Sequence, residues 1–183
     1  SRASMIPAHA LMPRPGERIL DLCAAPGAKA TQIAALADGQ AEITAVELHP
    51  ARARALREHA ERMGAVMTVI EGDAREVDIP GGPFDAVLVD APCTGTGVLS
   101  SRPDARWRRR EEALAPLVEI QQGLLARALD LVAPGGRVVY STCSLLREED
   151  EDVVRASGAE VDDLTADFPG MESPDLPGTL RLL

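Results

Sequence analysis

Aromatic side chains are nearly missing from this chain: its 183 residues include two Phe, one Trp and one Tyr. With only Phe84, Trp107, Tyr140 and Phe168 available, stacking platforms for single-stranded nucleic acid are few. Cysteine is as sparse. Cys23, Cys93 and Cys143 are odd in number and far apart, without a CxxC pair or a histidine at zinc-site spacing, which argues against a disulfide framework and a structural zinc site. No apolar run approaches the roughly 18 residues of a membrane span, and the opening SRASMIPAHA lacks the unbroken apolar core of a signal peptide. We therefore expect a soluble, cytoplasmic protein with no membrane partner and no metal. An excess of positive charge is missing too: 19 Lys+Arg face 29 Asp+Glu, for a net charge of -10. That is the wrong sign for a domain that grips nucleic acid alone. Any polyanionic partner must be held by a local patch or by another domain.

What is present is an ordinary globular composition, 45% hydrophobic and 26% charged, in a chain the size of one domain and long enough to bury a core. RILDL (18–22) reads as a short apolar strand running into an APG turn, and AKATQIAALA (28–37) as the helix after it. EITAVEL (42–48) and ARARALREHAERMG (51–64) repeat the pair, the helix ending on a glycine. VMTVIEGD (66–73) is a third strand, and FDAVLVDAP (84–92) is nearly all apolar, as a strand buried on both faces is. A long helix from about Glu111 to Val132 stops at APGG, and RVVYSTCS (137–144) makes a fifth strand. This alternation predicts an α/β protein with a mostly parallel, doubly wound sheet. Beyond it, REEDEDVVRA (147–156) suits a short acidic helix, 157–179 is rich in Pro, Gly and Asp, and TLRLL looks like a strand cut short. We expect a single domain over 1–183 that is a fragment of a longer chain.

In an open parallel sheet, ligands bind beyond the carboxyl ends of the strands, near the topological switch point. Here those ends carry Asp21 to Lys29, Glu47, Asp73, Asp90 to Cys93, and Ser141 to Ser144. DLCAAPGAKA puts a glycine turn between strand and helix, so backbone N–H groups and the helix N-terminus can face a ligand. With one glycine it is not the dinucleotide GxGxxG, and the P-loop spacing is absent. Glu47 stands about 20 residues further on, where an acid that chelates ribose hydroxyls belongs. Asp73, in EGDA, is placed to accept from an exocyclic amine such as that of adenine. Singly, each has a plain structural reading: a strand-to-helix turn, an acid at a strand end, a turn aspartate. Together they describe an adenosine pocket, and the missing phosphate motif favours S-adenosylmethionine over NAD or ATP.

Cys93 in DAPCTGTG and Cys143 in YSTCSL follow the ends of strands that should be neighbours, flanked by Pro, Gly, Ser and Thr. Buried cysteine is ordinarily inert packing, but two thiols at one mouth beside Asp90 point to nucleophilic chemistry. Cys23 reads as packing or as a backbone contributor to the cofactor site. In order, DLCAAPGAKA, VELHPARARAL, EGDA, DAPCTGTGVL and YSTCSLLREEDE resemble the Sun/Fmu (RsmB-like) family of RNA cytosine 5-methyltransferases, over about residues 3 to 155. ASMIPAHAL, PDARWRRR and LVEIQQGLLARAL are similar to that family as well.

The resemblance implies a Rossmann-like S-adenosylmethionine-dependent methyltransferase fold. It implies a cofactor held against Cys23, Ala24, Ala25, Pro26, Gly27, Ala28 and Lys29, and against Glu47, Asp73 and Asp90. It also implies that Cys143 is the nucleophile, that Cys93 assists product release, and that a protonated Asp90 stabilises charge at ring nitrogen 3 of the base. The chain departs from the family's GGKT at Ala28 and Ala30, and alanine narrows the backbone conformations open near the cofactor. Arg102, Arg106, Arg108, Arg109 and Arg110 are the phosphate-contact candidates for an RNA partner, ribosomal by resemblance to the Fmu-like branch. The same arginines could equally pair with the acidic run 148–152. Much of the RNA affinity is expected from domains outside this chain. Two other readings stay open: a DNA cytosine methyltransferase with its nucleophile in Pro92-Cys93, against which YSTCS argues, and a non-catalytic S-adenosylmethionine-binding module or ribosome assembly factor.

Overall fold

A computed structural model describes residues 3–98 and 111–181. Its sheet has five strands, β1 (Arg18–Asp21), β2 (Glu42–Glu47), β3 (Thr68–Glu71), β4 (Phe84–Asp90) and β5 (Val132–Ser141), in the order β3-β2-β1-β4-β5. Every pairing is parallel, so the expected mostly parallel sheet is wholly parallel among the described residues. From β1 the chain steps outward through β2 to β3, then returns to the other side of β1 and steps outward through β4 to β5. β1 and β4 therefore flank the switch point, where a crevice opens at the strand ends.

The described residues form five α-helices: α1 (Ile6–Ala10), α2 (Ala28–Leu36), α3 (Pro50–Met63), α4 (Leu114–Leu131) and α5 (Glu151–Ser157). Right-handed crossovers put α2 and α3 on one face. There Ile19, Ile43, Ala86 and Leu88 pack with Ile33 and Ala34 of α2 and Ala8 of α1, while Ala45 meets Ala30 and Leu56 of α3. The alternate residues Leu20, Val46, Val87 and Val89 are just as completely buried, so both faces are covered and β4 is apolar from Ala86 to Val89 for that reason. At roughly 1.5–3 kcal/mol for each fully buried aliphatic side chain, this two-sided burial, more than local propensity, fixes where the strand ends lie.

The described residues of Ser1–Ala91 and Leu124–Ser141 make one compact unit, which contains the whole sheet, and those of Pro92–Gly123 and Thr142–Leu183 make a second. The second holds the first half of α4, α5 and a single turn at Thr96–Val98. The expected terminal strand is reduced there to one antiparallel bridge, Glu172 to Leu180. Among the described residues no helix is long and apolar enough to cross a membrane, and no cluster of His, Cys, Asp and Glu is grouped to hold a metal ion.

Boundaries differ from the sequence reading in three places. β5 begins at Val132, because the chain on either side of the APGG turn still pairs with β4: Phe84 faces Val132 and Ala86 faces Arg137 across a register shift. The strand also stops at Ser141, which leaves Cys143 in the turn beyond it. The acidic helix starts at Glu151, four residues later than its charge pattern suggests, since Glu149 is drawn out of register into the interior.

Candidate functional site

β1 ends at Asp21, and the chain reaches α2 through a turn pinned on both sides. Leu22 N–H donates to Leu88 O of β4 at 3.0 Å, and Ala24 N–H donates to Val46 O of β2 at 3.0 Å. Gly27 caps α2 at φ +106°, and a Cβ there would lie 2.7 Å from Leu56 Cδ1, so only glycine lets the turn close over α3. Ala28 follows as the first residue of α2. Position 28 is thus helical, and the alanine there costs none of the freedom that glycine would have offered. Ala24, Ala25 and Gly27 are buried, Pro26 and Ala28 exposed, and Cys23 and Lys29 in between.

Glu47, at the end of β2, is 4% exposed and accepts the His49 N–H at 2.9 Å. Arg52 of α3 lies 3.6 Å from that carboxylate and donates to Ala25 O at 2.7 Å, so one guanidinium ties the ribose-side acid to the glycine turn. Asp73 follows β3 as expected, but its carboxylate is already clasped by Arg75. Arg75 Nε donates to Oδ1 at 2.9 Å and its terminal nitrogen to Oδ2 at 2.5 Å. The Arg75 hydrogen bonds hold the Asp73 carboxyl below its ordinary range.

At the switch point itself, Asp90 closes β4 with both oxygens engaged. Lys29 Nζ donates to Oδ2 at 2.7 Å, and Ser141 Oγ at the end of β5 donates to Oδ1 at 2.8 Å. Both oxygens of Asp90 thus have a donor within the first unit. Asp21 behaves in the opposite way. It is wholly buried, Oδ1 accepts the Cys23 N–H at 3.3 Å, and Oδ2 makes no hydrogen bond. Burial, then the nearby Asp90 carboxylate, pushes its carboxyl up to about 7. The Cys23 thiol is likewise pushed up by burial and by Asp21, Asp90 and Glu47.

The second unit contains the other two cysteines. Cys93 and Cys143 sit with their sulfurs 3.0 Å apart, and the Cys143 N–H also points at Cys93 Sγ, at 3.2 Å. No disulfide joins them. The hydrogen bond to Cys143, then burial, pushes the Cys93 thiol far up, while Cys143 is the exposed member of the pair. The turn of Cys143 is closed by Gly97, whose N–H donates to Cys143 O at 2.9 Å. It is also closed by Thr142, whose hydroxyl accepts the Ser144 N–H at 2.9 Å and donates to Asp150 at 2.5 Å.

Arg102, Arg106, Arg108, Arg109 and Arg110 lie outside the described residues. Of the acidic run with which they might have paired, Asp152 is engaged by Arg147 and Arg155, and Glu149 and Glu151 are buried. The sequence reading missed Ser141 as a partner of Asp90, and Arg52, Arg75, Gln121 and Glu149 altogether. Each reads in the sequence as a surface polar residue, and contacts that the sequence does not show distinguish it, long-range for Arg52, Gln121 and Glu149 and local for Arg75.

A family model described as 16S rRNA methyltransferase RsmB/F matches residues 8–173. The ribosomal RNA small subunit methyltransferase B of Salmonella newport is 39% identical over 174 residues, which are 94% of this chain and 40% of that protein. The crystal structure of PH0851 superposes with a TM-score of 0.90 at 36% identity, covering 98% of this chain and 42% of that one. NSun6 from Pyrococcus horikoshii, solved with SFG, gives 0.77 at 35% identity over 84% of this chain and 39% of its own. This chain spans about two fifths of the length of the relatives it matches. With the match running through the glycine turn, the strand-end acids and both thiol turns, the chain belongs to the 16S rRNA methyltransferase RsmB/F family.

Proposed function

We propose that this chain is the catalytic part of an S-adenosylmethionine-dependent enzyme that methylates carbon 5 of a cytosine in ribosomal RNA through a covalent cysteine adduct. The observation that carries this reading is the pair of thiols, Cys93 and Cys143, with sulfurs 3.0 Å apart on the turns that follow β4 and β5.

The residues of the first unit fit the cofactor. Gly27 turns the chain from β1 into α2 at φ +106°, Glu47 is a buried acid linked to the same turn through Arg52, and Asp21 keeps a buried oxygen without a hydrogen bond. The turn from Cys23 to Lys29, with Glu47, Asp73 and Asp90, would hold it, and Arg75 must release Asp73 for adenine to be read there. Bound, the cofactor supplies an electrophilic methyl group.

Carbon 5 of cytosine is a poor nucleophile until a thiolate adds to carbon 6. Cys143 supplies that thiolate. Its electron pair forms the S–C6 bond, the C5=C6 pair moves toward carbon 5 and nitrogen 3, and carbon 5 can then take the methyl group. A hydrogen-bond donor at nitrogen 3, the role that the resemblance gives to Asp90, stabilises the negative charge as it builds. The carbon 5 proton then leaves to a water that Cys93 positions, the C5=C6 bond re-forms and the S–C6 bond breaks, returning the thiolate. Cys143 is the exposed member of the pair, which supports its assignment as the attacking thiol. A base must leave its stack to be attacked at carbon 6, so single-stranded or flipped cytosine is the substrate form.

Incubating the protein with S-adenosylmethionine and unmodified ribosomal RNA, followed by nucleoside mass spectrometry, should show 5-methylcytidine. Cys143→Ala should give neither product nor adduct, and Cys93→Ala should accumulate a protein–RNA adduct that survives denaturing electrophoresis. An adduct in the first variant and none in the second would move the nucleophile to Cys93.

A further inference from the structure

Glu149 lies in the charged run REEDED, yet it is 0% exposed. Its carboxylate is surrounded by donors from the two thiol turns. Thr94, the residue after Cys93, donates through its backbone N–H to Oε1 at 2.8 Å and through its hydroxyl to Oε2 at 2.5 Å. Ser144, the residue after Cys143, also hydrogen-bonds the carboxylate. Gln121 of α4 donates to Oε1 at 3.0 Å and, with the same amide group, to Pro92 O at 2.8 Å. Both neighbours of Cys93 and the residue after Cys143 are thus tied to one carboxylate or to its glutamine partner.

We infer that Glu149 is a positioning residue for the two-thiol chemistry: its carboxylate clamps the Cys93 turn to the Cys143 turn and so sets the distance between their sulfurs. This rests on the reading of the thiols proposed above. Burial alone would push such a group toward protonation. Here the hydrogen bonds from Ser144, Thr94 and Gln121 outweigh it and hold the carboxyl below its ordinary range. A buried carboxylate whose donors are all matched is costly to disturb from either side, because each donor left behind loses its partner without regaining water. The named donors are hydroxyls, a backbone N–H and an amide of the turns and α4, so Glu149 acts through the turns. The chain tightens the same turn from the other side: a Cβ at Gly97 would stand 3.1 Å from Cys143 O, leaving the Cys143 turn little room to shift.

Thiol–disulfide exchange with oxidised glutathione tests the clamp without RNA or cofactor, since it reads only how well the two sulfurs are held together. Two thiols and one oxidised glutathione give one intramolecular disulfide and two reduced glutathiones, and the Cys93–Cys143 peptide is quantified by mass spectrometry. Glu149→Ala should lower the effective concentration of the pair by about tenfold or more. Glu149→Gln should recover it to within about threefold, because the amide oxygen can accept the Thr94 N–H while the amide nitrogen donates to hydroxyls that rotate to accept. An unchanged exchange equilibrium in a folded Glu149→Ala variant overturns the inference, as does a Gln variant no better than Ala. If Glu149→Ala fails to fold, Thr94→Val decides: it keeps the N–H and loses the hydroxyl, and a value equal to wild type overturns the clamp. Should exchange respond as expected while wild-type protein yields no 5-methylcytidine, the clamp stands and the methylation reading falls.

Discussion

Asp21 is a carboxyl with nowhere to put its charge. Asp90 and Glu47 face it with negative charge, Lys29 is already committed to Asp90, and a single backbone N–H, from Cys23, reaches it. Its pKa is raised from 3.8 to about 7 in the folded chain. Between those values the folded protein binds more protons than the unfolded one, so stability from this group is full below about pH 4 and is lost as the pH rises through about 7. The loss amounts to roughly 4 kcal/mol at the upper limit. Urea unfolding of wild type should therefore show stability falling between pH 4.5 and pH 7.5, and Asp21→Asn should flatten that slope. The asparagine brings its own penalty of about 1–3 kcal/mol for an unpaired buried amide, but that penalty is independent of pH. Equal slopes in the two proteins would mean that Asp21 is ionised throughout.

At the scale of elements, the junction of β1 and α2 is where backbone geometry and ligand chemistry coincide. Gly27→Ala forces a Cβ to 2.7 Å from Leu56 and 3.1 Å from His59 at a φ of +106°. Strain and overpacking together should cost on the order of 2–4 kcal/mol. Because α2 must shift to relieve the contact, calorimetric titration should also show weakened S-adenosylmethionine binding, whereas Ala28→Gly should leave it nearly unchanged. The strands and the longer helices were legible in the sequence because their apolar periods, turn residues and end glycines agree, as at α3 with Pro50 and Gly64. α1 was not, since five residues carry no measurable period. The first residues of β5 were hidden because Pro134, Gly135 and Gly136 read as a stop although pairing resumes around them. The candidate site was legible wherever a residue ends a strand, as with Glu47, Asp90 and Cys93. Its linking groups were not: the Lys29–Asp90 pair joins residues 61 positions apart, the Arg75 clasp on Asp73 is local but looks like any pair of surface charges, and the burial of Glu149 is disguised by the charged run around it.

For the molecule as a whole, net charge sets how it meets a polyanion. A surplus of ten negative charges repels RNA at long range, and four aromatics offer little stacking to offset it. Arg102, Arg106, Arg108, Arg109 and Arg110 concentrate five phosphate-binding groups within nine residues of sequence. If these arginines neutralise phosphates, each should contribute about 0.7 to the slope of log K against log salt on a single strand, so five give a slope of about -3.5. Fluorescence anisotropy with a single-stranded ribosomal RNA fragment between 50 and 200 mM salt, of order the range where such slopes are read, should show weak, steeply salt-dependent binding. Replacing Arg108, Arg109 and Arg110 by alanine should reduce the slope by about 2 and weaken binding alike for all sequences, because phosphate contacts position the chain without reading bases. Tight binding that ignores salt, or a slope untouched by the triple replacement, would place the RNA-contacting surface elsewhere on the chain.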